Sequence, residues 1–167
     1  MKPSEIQLLF LYNEWANRRI LEVARQVEAS QYLGLMSTSH HSLHATLLHI
    51  FGAEYVWRAR CQFSLSPPRL PTQVDIPDLI SLERSWQAEM SALREYVYSL
   101  DENQLAQPLR YQTTSRKPFE TPLWQILLHV VNHGTQFRSE AGMVLSGLGH
   151  SPGDLDFIFF VRQNSAG

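Results

Sequence analysis

Residues 127–142 read LLHVVNHGTQFRSEAG. The histidines at 129 and 133 stand four residues apart, about one helical turn, so both rings share a face. One turn further on, where a third polar ring would extend the row, stands Phe137. The helix around them has a start signal: Thr121 as cap, Pro122 at the first helical position and Leu123 opening an apolar run. It is expected to reach about Ser146 and to end at Gly147, a residue type suited to a C-cap.

Working outward, three more segments carry helical periodicity. Residues 3–28 place Leu9, Ala16, Ile20, Val23 and Val27 on one stripe, with Pro3 in the first turn. Residues 39–62 do the same with Leu43, Leu47, Ile50, Trp57 and Cys61, and Glu54 and Arg58 stand at i and i+4 as a surface ion pair. Residues 77–100 align Leu79, Leu82, Trp86, Leu93, Val97 and Leu100, with Met90 filling the gap. The proline-rich SLSPPRLPTQVDIP, 64–77, is a loop. LAQPLRYQTTSRKPFETP, 105–122, alternates at Leu109, Tyr111 and Thr113 and predicts a short irregular β-hairpin or a long loop. In the tail, Ile158, Phe159, Phe160 and Val161 need cover, so a short helix or strand docks there. The fold class is therefore all-α: a single-domain four-helix bundle over 1–167, with a long connection between its third and fourth helices and a short C-terminal docking segment.

With 44% hydrophobic and 18% charged residues this is the composition of an ordinary globular protein. A net charge of −2 gives no electrostatic case for nucleic acid, and the pairs Arg18 with Arg19 and Arg58 with Arg60 read as solvated helix faces. The apolar N-terminal run turns polar at Asn13 and Glu14, too early for a membrane span. The lone Cys61 forms no internal disulfide and reads as a small buried hydrophobe. A cytoplasmic protein without membrane or nucleic-acid partners is expected.

Seven histidines are the chemically interesting residues. His40, His41 and His44 read as polar residues near a helix start, and His150 as a turn residue. His49 sits in the apolar run LLHIFGAEY between Ala45 and Ala53, which leave room beside its ring. A buried imidazole there needs partners, either hydrogen bonds or a metal. His129 and His133 make H-x-x-x-H, a spacing that lets two rings meet one ion, without the Glu of a zinc protease.

Several segments resemble the DinB family of metalloenzymes: YNEWANRRIL at 12–21, TLLHIFGAEYVWRAR at 46–60, LLHVVNHGTQFRSE at 127–140 and LGHSPGDLDFIFFVRQ at 148–163. The resemblance covers most of the chain. It implies a four-helix bundle, a homodimer, and a zinc or nickel ion held by three histidines, one from the second helix and an i, i+4 pair from the last. Carried over residue by residue, the metal ligands are His49 and His133, and the third position is Phe137, which cannot coordinate. His129 is not among the family's three. Three outcomes stand open: a weak or empty but open site, a substitute ligand from His129, Gln136 or Glu140, or a pocket packed by Phe137.

The resemblance also implies function: a thiol-dependent transferase or isomerase with a low-molecular-weight thiol as cosubstrate, or a hydrolase with metal-bound hydroxide, acting on a small-molecule substrate. The alternative is a non-catalytic dimeric binding or scaffold protein. Arg138, beside the missing ligand, is a candidate to orient an anionic group or else a helix salt bridge, and Asn132 is a candidate supporting residue.

Overall fold

The computed structural model describes residues 1–164. In chain order its elements are α1 Pro3–Ala24, α2 Ala29–Leu33, α3 Leu43–Phe63, α4 Leu79–Tyr98, α5 Glu102–Ala106, β1 Pro108–Gln112, β2 Pro118–Pro122, α6 Leu123–Gly147 and α7 Phe157–Asn164. The four long helices α1, α3, α4 and α6 make the bundle. α6 packs on α1 and α3, and α4 packs on the same two, so each helix has two neighbours. No helix among the described residues is long and apolar enough to cross a membrane.

Local chemistry sets most boundaries. Ser42 caps α3 by accepting from the Ala45 N–H at 3.0 Å, and Asp78 caps α4 through a reciprocal box with Ser81. α6 ends at Gly147 as expected, but its caps differ from expectation. Thr121 does not cap it: Thr121 lies in β2, and Pro122 stands at the N-cap without a side-chain bond. Gly147 is still helical, and the reversal is made two residues later by Gly149 at φ +88°, where the His150 N–H returns to the Leu145 carbonyl at 2.9 Å. The positive φ, not the first glycine, marks the stop.

β1 and β2 pair antiparallel between α5 and α6, with Tyr111 opposite Phe119. The Leu123 N–H donates to the Gln107 carbonyl at 2.9 Å and ties the pair to the first turn of α6. In the tail, α7 buries Phe160 against Tyr12 and Trp15 of α1, and the Tyr12 hydroxyl donates to the Leu155 carbonyl at 2.9 Å.

The interior has two apolar clusters. One runs from Ile20 and Leu21 through Leu47, Ile50 and Trp86 to Leu145. The other gathers Ile6, Phe10, Leu93, Val97, Leu127 and Val130. Between them lies a buried polar layer that uses all four long helices. Glu54 of α3, 1% exposed, accepts from Asn13 Nδ2 at 2.6 Å, Asn17 Nδ2 at 2.8 Å and Trp86 Nε1 at 2.6 Å. Arg138 of α6, also 1% exposed, donates through one nitrogen to Asn13 Oδ1 and Asn17 Oδ1, both at 2.7 Å. The two amides of α1 thus stand between a carboxylate and a guanidinium, their N–H groups toward one and their oxygens toward the other. Burial raises the Glu54 carboxyl above its usual range; the Asn13, Trp86 and Asn17 donors and the Arg138 charge oppose that rise.

This layer corrects the expected Glu54–Arg58 surface pair. Glu54 turns inward because three donors await it there. Arg58 instead makes a two-nitrogen bond to Glu89 of α4, at 2.5 and 2.7 Å. His44 is corrected as well. It is fully buried, with Nε2–H donating to the Ile76 carbonyl at 2.9 Å and Nδ1 accepting from the Tyr32 hydroxyl at 3.0 Å. It pins α2 and the proline-rich loop to α3.

Two predictions follow from these contacts. A Cβ at Gly134 would stand 2.6 Å from an Arg138 nitrogen and 2.8 Å from Asn13 Oδ1. Gly134→Ala, which in an ordinary helix interior would stabilise by about 0.5–1 kcal/mol, is expected here to destabilise by about 1–3 kcal/mol. A urea melt reads the sign, and a stabilised variant would refute the close packing of the layer. The second concerns pH. Burial lowers the His44 pKa, against the Ile76 carbonyl and the Asp78 charge, which raise it. The unfolded chain therefore binds the proton more readily than the folded one. The stabilising difference is fully present above about pH 6.5 and is lost as pH falls below it. Urea midpoints should fall on acidification, and His44→Gln, weaker at pH 8, should lose less than the parent. Equal acid losses would show that His44 does not titrate this way.

Candidate functional site

α3 and α6 pack on each other and bring His49 and His133 face to face. Their Nε2 atoms are 3.0 Å apart and their ring centres 4.8 Å. At that separation one nitrogen carries a proton and the other accepts it, so the pair is built for two neutral rings or for a shared cation. Burial pushes each pKa down to about 4, helped by His40 at His49 and by His49, His129 and His40 at His133; Glu140 pulls weakly the other way at His49.

Phe137 faces both rings. It stands edge-on to His49 at 4.5 Å and tilted to His133 at 4.7 Å. His40 completes the cluster: its ring stacks on His49 at 4.1 Å and lies 5.1 Å from Phe137, with Nε2 buried and without a hydrogen-bond partner. The expectation of a polar residue at a helix start is thereby corrected. What brings His40 in is Glu140, whose carboxylate accepts from both the backbone N–H and the hydroxyl of Ser39, the hydroxyl at 2.6 Å. Glu140 therefore anchors the loop carrying His40, and its oxygens are occupied by that task.

Above the pair opens a cavity of about 370 Å³. His49, His133 and His129 line its base, and Trp57, Tyr111 and Phe119 are among its walls. His129 is exposed and meets the edge of Trp57 at 5.4 Å. Gln136 and Asn132 are exposed and do not line it. Arg138 does not line it either; its donors go to Asn13, Asn17 and Thr135, and it borders a separate depression beside Asp154 and Asp156. Cys61 keeps its proton: burial pushes its pKa up to about 12.

Arg60 was expected on a solvated face and is 6% exposed instead. It lines the cavity, with its guanidinium over Trp57 at 4.5 Å and Tyr111 at 5.5 Å. A signal for this exists in the sequence. His49, Ala53, Val56 and Arg60 follow an i, i+4, i+7, i+11 spacing, so all lie on one face of α3. No local signal placed His40, because its position depends on Glu140, a hundred residues away in sequence.

The model of one family, the DinB family, matches residues 1–165. This chain belongs to the DinB family. Protein DinB of Bacillus subtilis (strain 168) is 24% identical over 168 residues, covering 95% of this chain and 96% of that relative.

A metal of the DinB family is tested here by the donors present. Two nitrogens on one tetrahedral zinc lie about 3.4 Å apart, so the 3.0 Å pair of His49 and His133 suits two legs of an ion. The third leg is absent. Among the described residues no three His, Cys, Asp or Glu side chains converge to hold a metal. The side chains do not fit a three-ligand protein centre.

Proposed function

We propose that this DinB-family chain is a small-molecule-binding member with a degenerate metal site, in which the histidine pair His49 and His133 forms the floor of a binding pocket. The observation carrying this reading is Phe137, which packs its ring against both histidines at 4.5 and 4.7 Å. An aromatic ring supplies no lone pair to an ion, and catalytic zinc sites generally keep three protein ligands. In this reading the pocket binds its ligand by shape, hydrogen bonding and charge.

One observation favours a second reading, that of a divalent-metal-dependent transferase, isomerase or hydrolase. The 3.0 Å approach of the two Nε2 atoms is near the roughly 3.4 Å between two nitrogens on one tetrahedral zinc. In that reading zinc or nickel, held by His49 and His133, would lower the pKa of a bound small thiol or water. The homodimer belongs to either reading, supported by exposed Leu8 and Leu11 on α1 and Ile158 and Phe159 on α7, two helices that pack together. A cytoplasmic location is also part of it, supported by the lone cysteine.

The decisive experiment is elemental analysis of tag-free protein beside Phe137→His, with sedimentation of the same samples. The expected outcome is a parent with far less than one ion per chain and a variant that fills, both sedimenting as dimers. A parent that holds one ion per chain overturns the binding-protein reading in favour of the metalloenzyme. A parent and variant that both stay empty overturn the assignment of His49, His133 and position 137 as a metal constellation. Monomers would overturn the dimer.

A further inference from the structure

We infer that Arg60 is the anion-recognition residue of the pocket, and that its ligand is a small carboxylic acid with an aromatic or flat apolar body. This rests on the pocket reading above and adds the chemical class of the ligand.

The argument starts from an imbalance. Arg60 is a buried cation, yet among the described residues it has neither a carboxylate within salt-bridge distance nor any hydrogen-bond acceptor, and its Nε is fully buried without a partner. The other buried or half-buried arginines have acceptors: Arg138, whose Nε is also unpartnered, has two amide oxygens and a hydroxyl, Arg58 has Glu89 and Gln62, and Arg19 has the Pro152 carbonyl. A guanidinium presents five donors in a plane, and a buried donor left unpaired is costly. What holds Arg60 in place is its face, set over Trp57 and Tyr111. That contact holds the group at the cavity wall, with no protein acceptor on its terminal nitrogens among the described residues. A carboxylate matches a guanidinium edge with two oxygens.

The rest of the pocket describes the other end of the ligand. Trp57, Tyr111 and Phe119 offer aromatic surface, and Ala53 and Val56 offer small apolar surface. The cavity, about 370 Å³, has room for a bicyclic acid. No Asp or Glu lines it, so nothing there repels an anion. The histidine pair at the base has at most one N–H between its facing nitrogens, which can act as donor or acceptor toward a second polar group of the ligand.

The test uses 2-naphthoate and its uncharged counterpart 2-naphthamide as probes, on full-length protein treated with chelator so that no adventitious ion serves as the anion receptor. Calorimetry gives the affinities, and the Arg60 guanidinium N–H resonance of the parent reports the contact. The expected result is that 2-naphthoate binds the parent and moves that resonance. Arg60→Gln should weaken naphthoate by about 10- to 100-fold while leaving naphthamide unchanged, and Arg60→Lys should fall between. Where Arg60→Gln does not fold by circular dichroism, the parent's resonance and Arg60→Lys decide. Naphthoate and naphthamide binding equally well, or an unmoved guanidinium N–H, would overturn the anion assignment and leave the pocket standing. Failure of both probes to bind the parent would overturn this inference together with the pocket reading.

Discussion

A carboxylate and a guanidinium held apart by two amides organise this bundle. Glu54 and Arg138 are each almost wholly buried, on α3 and α6, and Asn13 and Asn17 of α1 stand between them. Trp86 brings α4 into the same layer. Apolar side chains tolerate sliding between helices; this layer does not. Shifting any one helix by a turn would strand a buried charge, which costs far more than a shifted methyl group. The layer therefore sets the register of the four helices, and the two apolar clusters on either side supply the burial that drives them together.

The histidine pair inherits its geometry from that register. Glu54 lies five residues after His49 and Arg138 five residues after His133, so the layer that fixes the charged residues also fixes the rings. Gly134, beside His133, has no Cβ because Arg138 and Asn13 occupy the space. Phe137 and His40 then pack against the pair, one from the same helix and one from a loop anchored by Glu140. The site is a pair of facing imidazoles packed by a phenyl ring, and beside it lies a cavity whose only buried cation lacks an anion among the described residues.

Much of this was legible in the sequence. The four long helices read correctly because each buries a stripe at helical spacing, as Leu82, Trp86, Leu93 and Val97 do on α4. The pairing of His49 with His133 was legible only through likeness to a family, since nothing in periodicity says which helices face each other. The misreadings share one cause. Glu54, His44 and Arg60 look like surface residues by type, and each is buried because partners distant in sequence accept it: Asn13 and Asn17, Ile76, and Trp57 with Tyr111. The ends of α6 fall where expected within a residue, but its caps do not: β2 claimed Thr121, and the backbone at Gly149 supplied the reversal.

The sequence by itself determined the long helices and the class of fold, because these follow from local spacing and from residue identity. Only the tertiary structure decided which polar residues are buried together. It turned Glu54 and Arg138 into a bridge across the bundle, drew His40 onto His49, and left Arg60 lining a cavity with its Nε unpartnered. The physical reason is that the burial of a charge is a property of its surroundings: its cost depends on donors and acceptors supplied by other helices, and those meet only when the chain has folded.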